Sequence, residues 1–315
     1  MEFITLKKSN LKVSRLCMGG CPLGGYGWGI VQEDNLIEAV QSAYDSGVNF
    51  FDTADTYGLG HSEELLGKAL KTVREKVVIA SKFGVRVENG RTFYDNSPEW
   101  IRTALDASLR RLKTEYIDLY QIHYLDGHTP IGDIVGTLQE LQRSGKIRYF
   151  GLSNIQMDSM EQIMPYRDAF VSFQDEYSLA CRKNEKGIRK LSEKLQLTPL
   201  TWGSLGQGIL TGKYDKTCHF GADDRRSRDI YVNFHGAKLE KNLEIVECLK
   251  KISSRVNCPV SAVAIRFILD YFKESVVLVG AKRKAQVAGN ISAMGWNLTD
   301  NDMEMLKRVS SEEII

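Results

Sequence analysis

The chain has 315 residues, 43% hydrophobic and 26% charged, with 42 Lys and Arg against 40 Asp and Glu for a formal net charge of +2. This is the composition of a folded globular chain rather than a disordered or fibrous one, and the balanced charge gives no reason to expect nucleic acid or an anionic membrane as partner. The start MEFITLKKSN lacks the basic-then-apolar order of a signal peptide, no apolar run nears the ~20 residues that span a bilayer, and Cys17, Cys21, Cys181, Cys218, Cys248 and Cys258 form no C-x-x-C pair, so a reduced, cytoplasmic protein is expected.

In chain order, Phe3 to Leu6 and Leu11 to Val13 flank a Ser9-Asn10 turn and predict a small hairpin. Strands and helices then alternate. Short apolar or β-branched runs fall at Leu16 to Gly20, Asn49 to Ala54, Val77 to Phe83, Ile117 to His123, Ile147 to Asn154, Val171 to Tyr177, Leu197 to Gly203 and Val276 to Gly280. Between them, helical periodicity covers segments such as Glu33 to Ser46, Ser97 to Leu112, Ile131 to Ser144, Asn184 to Leu195 and Ser261 to Phe272. Gly47 and Gly145 suit left-handed helix ends, Ser97-Pro98-Glu99 reads as a cap followed by a first-turn proline, and Asp158 is placed to cap the helix after the fifth strand. The stretch from Ser204 to Phe234 is too long for an ordinary connection, and Asp300 to Val309 predicts a last helix. Eight continuous apolar strands, each followed by a helix, predict a parallel sheet closed into a (β/α)8 TIM barrel, with an N-terminal β-hairpin and an extra C-terminal helix, as one domain over 1–315.

Barrel enzymes place their chemistry where strands end. The second strand ends in FFDTADTYG, giving Asp52 and Tyr57; the third ends in VVIASKFG, giving Lys82; the fourth ends in IDLYQIHY, giving His123. Lys82 emerges from a buried strand, so its ammonium needs a counter-charge, and Asp52 on the adjacent strand is the natural one. The four suit carbonyl reduction. A hydride added to a carbonyl leaves an alkoxide that needs a proton, and Tyr57 is placed to give it. The Lys82 cation is expected to lower the phenol pKa from its usual ~10. His123 is expected to orient the carbonyl oxygen or relay the proton.

The segment FFDTADTYGLGHSEELLGKAL resembles the signature of the aldo-keto reductase family, and the resemblance runs from about residue 3 to residue 298. It implies that Asp52, Tyr57, Lys82 and His123 form the family's catalytic tetrad. It further implies an NADPH cofactor lying extended across the barrel mouth, in keeping with the lack of a Rossmann fingerprint and of a P-loop here. By that resemblance Gly20 and Asp52 lie against the cofactor, Ser153, Asn154 and Gln174 bond its carboxamide, and Trp202 stacks on its nicotinamide face. Gly203-Ser204-Leu205 stands where the family has Ser-Pro-Leu, and Gly208 and Lys213 follow in the stretch expected over the pyrophosphate. After the eighth strand, Gly280 permits close backbone approach. Lys282 and Arg283 suit a 2′-phosphate, and Gln286 and Asn290 match adenosine contacts, although Gly289 replaces a common glutamate. Trp28, Arg86, Tyr94 and Tyr124, with Tyr57 and His123, are the expected walls for a small carbonyl substrate. Two other readings remain open at this level: a cofactor-binding sensor of the same fold with little turnover, and a metal-dependent barrel hydrolase using His61, His123, His128 and Asp52, with no metal-ligand pairing in the sequence to support it.

Overall fold

Strand-forming residues with both faces buried need partners on both sides, and a closed parallel barrel supplies them. The structure is a computed structural model and describes residues 1–29, 31–155 and 157–311. A hairpin of β1 (Phe3–Thr5) and β2 (Lys12–Ser14) comes first, with register Ile4 to Val13. Then follow β3 (Leu16–Gly19), α1 (Glu33–Asp45), β4 (Phe50–Asp52), α2 (His61–Leu70) and β5 (Val78–Phe83). A second hairpin, β6 (Val85–Glu88) and β7 (Arg91–Tyr94), leads to α3 (Pro98–Leu112), β8 (Ile117–Ile122), α4 (Ile131–Arg143) and β9 (Ile147–Ser153). The remainder is α5 (Met160–Ile163), β10 (Phe170–Glu176), α6 (Glu185–Leu195), β11 (Thr198–Trp202), α7 (Gly236–Val256), α8 (Val260–Tyr271), β12 (Val276–Gly280), α9 (Lys284–Ile291) and α10 (Asp300–Val309). Strands β3, β4, β5, β8, β9, β10, β11 and β12 close into one barrel of parallel neighbours, the (β/α)8 arrangement.

Side-chain alternation splits the core in two. Inside the barrel, Cys17, Phe50, Ala80, Leu119 and Leu200 meet Leu6, Leu11 and Val13, so the first hairpin packs into the apolar interior. Outside it, the opposite strand faces carry Phe51, Ile79, Tyr120 and Phe150 against the helices. Helix α1 shows the matching pattern: its buried residues Leu36, Ala39, Val40 and Ala43 recur at helical spacing along one stripe.

The local signals act largely as read. Ser97 accepts the Trp100 N–H at 3.3 Å with Pro98 at the first helical position, and Gly47 (φ 90°) and Gly145 (φ 79°) follow the helix ends. One reading changes, and two features are added. Asp158 lies inside a 3₁₀ turn, Met157–Ser159, and Ser159 precedes α5, so Asp158 is not its cap. The long stretch between 204 and 234 holds three 3₁₀ turns, Gly206–Thr211, Arg225–Ser227 and Val232–Phe234. Hairpin β6–β7 has no counterpart in the sequence reading, because Val85 to Tyr94 mixes charged and apolar residues without clean alternation.

Helices α2 and α3 touch at Gly67, where a Cβ would lie 2.5 Å from the Leu112 carbonyl oxygen. Alanine there gains about 1 kcal/mol of helix propensity, but a backbone clash in a packed layer costs about 1–3 kcal/mol. Gly67→Ala is therefore expected to lower the unfolding free energy in urea, by up to about 2 kcal/mol once the propensity gain is subtracted.

Candidate active site

The inward phase of β4, β5 and β8 is apolar at the bottom and polar at the top. On β4 it runs Phe50 then Asp52; on β5, Val78, Ala80, Lys82; on β8, Leu119, Gln121 and, one step past the strand, His123. These polar ends meet above the apolar interior. Lys82 Nζ lies 2.5 Å from Asp52 Oδ1 and 2.9 Å from the Thr53 carbonyl oxygen, both acceptors. The other Asp52 oxygen accepts from Gln121 Nε2 at 3.1 Å and Gln174 Nε2 at 2.8 Å. Lys82 is 1% exposed and Asp52 3%, so the pair is desolvated, and removing one partner of such a pair costs about 3–5 kcal/mol. Tyr57, carried on the β4–α2 loop, brings its hydroxyl to 3.4 Å from Lys82 Nζ. The His123 ring meets the Tyr57 ring edge-on with centroids 5.9 Å apart.

Burial sets the protonation states. It pushes the Tyr57 phenol well above its ordinary value, and the nearby Cys21 and Asp52 push the same way. This corrects the expectation that Lys82 lowers it: the ammonium is already engaged by Asp52, and desolvation of the phenolate outweighs its attraction. His123 is driven well below the usual imidazole range, by burial first and by the Lys82 charge second. The resting site therefore holds a protonated phenol and a neutral imidazole at neutral pH.

These groups open onto a cavity of about 700 Å³. Of the residues singled out by sequence, Asp52, Tyr57, His123 and Tyr124 line it at the chemical end, together with Trp28. Gly20, Ser153, Asn154, Gln174, Trp202, Gly203, Ser204, Leu205, Gly208, Lys213, Gly280, Lys282, Gln286 and Asn290 line the same cavity. Lys82 sits behind Tyr57 and Asp52. Asn154, held at φ 53°, donates from Nδ2 to the His123 carbonyl oxygen at 3.1 Å and to Ser153 Oγ at 3.0 Å.

Three expected contacts lie outside the lining. Arg86 is drawn away by Asp95, 2.7 Å from its Nη1, and by Glu88, and its guanidinium stacks on Trp100 at 4.2 Å. Tyr94 is 44% exposed and stands one ring back, stacked at 5.0 Å on Tyr124, which itself stacks at 5.1 Å on His123. Arg283 is the exposed residue that precedes α9. Other lining residues went unread: Cys21 beside Tyr57, and Arg225, Arg226 and Tyr231 from the long β11–α7 segment. For the last three, the one signal in sequence was the length of that segment. The hydrolase reading fails on geometry, since His61 pairs with Glu33 at 3.3 Å and His128 is 73% exposed beside Asp126, neither lining the cavity of Asp52 and His123.

The charge around the cavity states what fits it. Arg226 is neutralised by Asp224 at 2.5 Å, but among the described residues Lys213, Arg225 and Lys282 have no carboxylate within salt-bridge distance. Lys282 is depressed by burial first and then by the neighbouring Arg226 and Lys213 charges, a crowding of cations that an anion relieves. Lys282 Nζ also donates to the Trp28 carbonyl oxygen at 2.5 Å, and Arg225 Nη2 to that of Tyr26 at 2.9 Å. The cationic end is thus tied to the segment that carries Trp28. An extended ligand with phosphates at one end and an amide-bearing ring at the other, such as a nicotinamide dinucleotide, fits these residues.

Comparison with known proteins agrees. The model of the aldo/keto reductase family matches residues 15–311. The aldo-keto reductase YhdN of Bacillus subtilis is 32% identical over 320 residues, covering 100% of this chain and 95% of that protein. The NADH-specific methylglyoxal reductase of Escherichia coli is 30% identical, with 98% of each chain covered. Among solved structures, the glycerol dehydrogenase AKR11B4 from Gluconobacter oxydans superposes with a TM-score of 0.88 at 35% identity, over 98% of this chain and 94% of that one. The chain belongs to the aldo/keto reductase family, oxidoreductases that act on carbonyl substrates with a nicotinamide cofactor.

Proposed function

We propose that this chain, acting as one domain, reduces an aldehyde or ketone to the alcohol with NADPH, and that Tyr57 gives the proton. The observation that carries this reading is the Tyr57 hydroxyl 3.4 Å from a buried ammonium and edge-on to a neutral imidazole, on the wall of a cation-lined cavity.

A bound nicotinamide supplies the hydride. The chain's own groups manage the oxygen that receives it. Neutral His123 donates an N–H to the carbonyl oxygen and fixes its position beside the phenol. Tyr57, held protonated by burial, passes its proton to the alkoxide. The phenolate left behind lies next to Lys82 in a desolvated site, where attraction is strong. By favouring that phenolate, Lys82 opposes the rise that burial imposes on the phenol without reversing it. Asp52, gripped by Lys82, Gln121 and Gln174, holds the ammonium in register. Trp28 and Tyr124 give the substrate a flat aromatic enclosure, with Tyr94 buttressing Tyr124 from outside. Lys213, Arg225 and Lys282 favour the additional phosphate of NADPH over the bare ribose of NADH.

Tyr57→Phe is expected to lower kcat for NADPH-dependent reduction of nitrobenzaldehyde by about 10²–10⁴-fold, with NADPH affinity by fluorescence titration changed little; a variant that retains wild-type turnover removes Tyr57 as the donor. Lys82→Met is expected to lose a similar factor in kcat and about 3–5 kcal/mol of stability, because it leaves Asp52 buried without its cation. For the cofactor, Lys282→Ala is expected to reduce the ratio of NADPH to NADH affinity by about tenfold, which corresponds to about 1.4 kcal/mol. An unchanged ratio would assign the phosphate elsewhere.

A further inference from the structure

The backbone of His123 is fixed on both sides. Its N–H donates to the Phe83 carbonyl oxygen at 2.8 Å, and its carbonyl oxygen accepts from Asn154 Nδ2 at 3.1 Å. The ring is held differently. In an active-site histidine the second ring nitrogen commonly bonds a carbonyl or a carboxylate, which fixes tautomer and plane together. In this chain Nδ1 of His123 is buried without a hydrogen-bond partner.

Aromatic packing takes over that task. His123 lies against Tyr124 with centroids 5.1 Å apart and planes at 23°, and Tyr124 lies against Tyr94 at 5.0 Å with the same 23° between planes. The three rings form one column that runs from the exposed hairpin β6–β7 to the imidazole. The Tyr57 ring meets His123 at 5.9 Å and 80°. Ring contacts, rather than a bond at Nδ1, therefore set the plane of the imidazole.

The outer end of the column is firmly built. Tyr94 pairs with Val85 across the hairpin, and the Asp95 N–H that follows donates to the Gly84 carbonyl oxygen at 3.0 Å. Asn96 and Asp126 then exchange bonds. The Asn96 N–H donates to Asp126 Oδ2 at 2.8 Å, and the Asp126 N–H donates to Asn96 Oδ1 at 2.7 Å. Each of these residues follows a tyrosine of the column by two positions, so their reciprocal bonds fix the spacing of Tyr94 and Tyr124. Gly84 (φ 101°) lets the root of the hairpin approach, since a side chain there would strike the Asn96 amide and crowd the Tyr124 carbonyl oxygen. Arg86 ties the hairpin to α3, with Asp95 at 2.7 Å and its guanidinium over Phe93 at 5.0 Å and Trp100 at 4.2 Å.

We propose that Tyr94 is a positioning residue: hairpin β6–β7 holds it as the outer ring of the column, and through Tyr124 it sets the plane of the His123 imidazole. The kinetic consequence rests on His123 as the group that holds the carbonyl oxygen; the column itself does not. Tyr94 stands outside the cavity lining, whereas Tyr124 lines it and would also report contact with substrate. Position 94 is therefore the one that isolates the effect.

A stacked aromatic pair biases one ring orientation over its alternatives by about three- to tenfold. Tyr94→Leu keeps an apolar side chain without a ring. Its kcat for NADPH-dependent reduction of nitrobenzaldehyde is expected to fall by about three- to tenfold. KM for the aldehyde, NADPH affinity by fluorescence titration and the thermal midpoint should change little, because the side chain is 44% exposed and touches neither ligand site. Tyr94→Phe keeps the ring and is expected to restore kcat.

NMR of the full chain labelled with ¹³C,¹⁵N-histidine reads the ring directly. There are five histidines, so His123→Gln identifies the His123 signal by its loss. The ring currents of Tyr124 and Tyr57 make that signal sensitive to the orientation of the imidazole. It is expected to move or broaden in Tyr94→Leu and to keep its wild-type position in Tyr94→Phe. An unmoved signal in Tyr94→Leu, an equal loss of kcat in both variants, a loss confined to KM, or a loss matched by a large fall in thermal midpoint overturns the proposal. If His123→Gln keeps wild-type turnover, the role of His123 at the carbonyl falls. A signal that moves in Tyr94→Leu and not in Tyr94→Phe still supports the column.

Discussion

The site is organised by one desolvated ion pair. Lys82 and Asp52 face each other at 2.5 Å where the apolar barrel interior gives way to the mouth. A lysine at that depth is tolerable only with a fixed counter-charge, and a carboxylate there only with its remaining lone pairs filled. Two glutamine amides and the Thr53 carbonyl complete the set. The neighbouring side chains are then located by reference to this pair: Tyr57 by its hydroxyl, His123 by continuing the Gln121 face, and Asn154 by its bond to the His123 carbonyl.

Burial does two jobs that look opposed. It keeps the resting phenol protonated and the imidazole uncharged, which suits groups that donate protons and hydrogen bonds. It also strengthens every interaction of Lys82 with charge that appears during reaction. A site open to water would lose both effects. The barrel obtains this environment by filling its lower interior with side chains, including those of the first hairpin, beneath the cavity that Asp52, Tyr57 and His123 line.

The other end of the cavity follows a different rule. There the cations Lys213, Arg225 and Lys282 lack carboxylate partners among the described residues, and the Lys213 charge acts against that of Lys282. Two of them also bond backbone carbonyls of the segment bearing Trp28. Anion binding and the shape of the substrate enclosure are therefore mechanically adjacent.

The sequence by itself determined the architecture, because eight buried strands alternating with amphipathic helices leave few ways to satisfy backbone and apolar surface together. It also determined that Asp52, Tyr57, Lys82 and His123 gather at one end of the barrel, since each stands at or beyond the end of a neighbouring strand and alternation dictates which of the strand residues face inward. What only the tertiary structure decided depends on neighbours distant along the chain. Arg86 reads as a pocket residue until Asp95, Glu88 and Trp100 claim it. Arg225 and Arg226 went unread in the sequence, because they reach the cavity only through the fold of the long segment that carries them. The direction of the Tyr57 shift was misread because a nearby cation is visible in sequence while desolvation is not: the first needs a pair of residues, the second the whole surrounding packing.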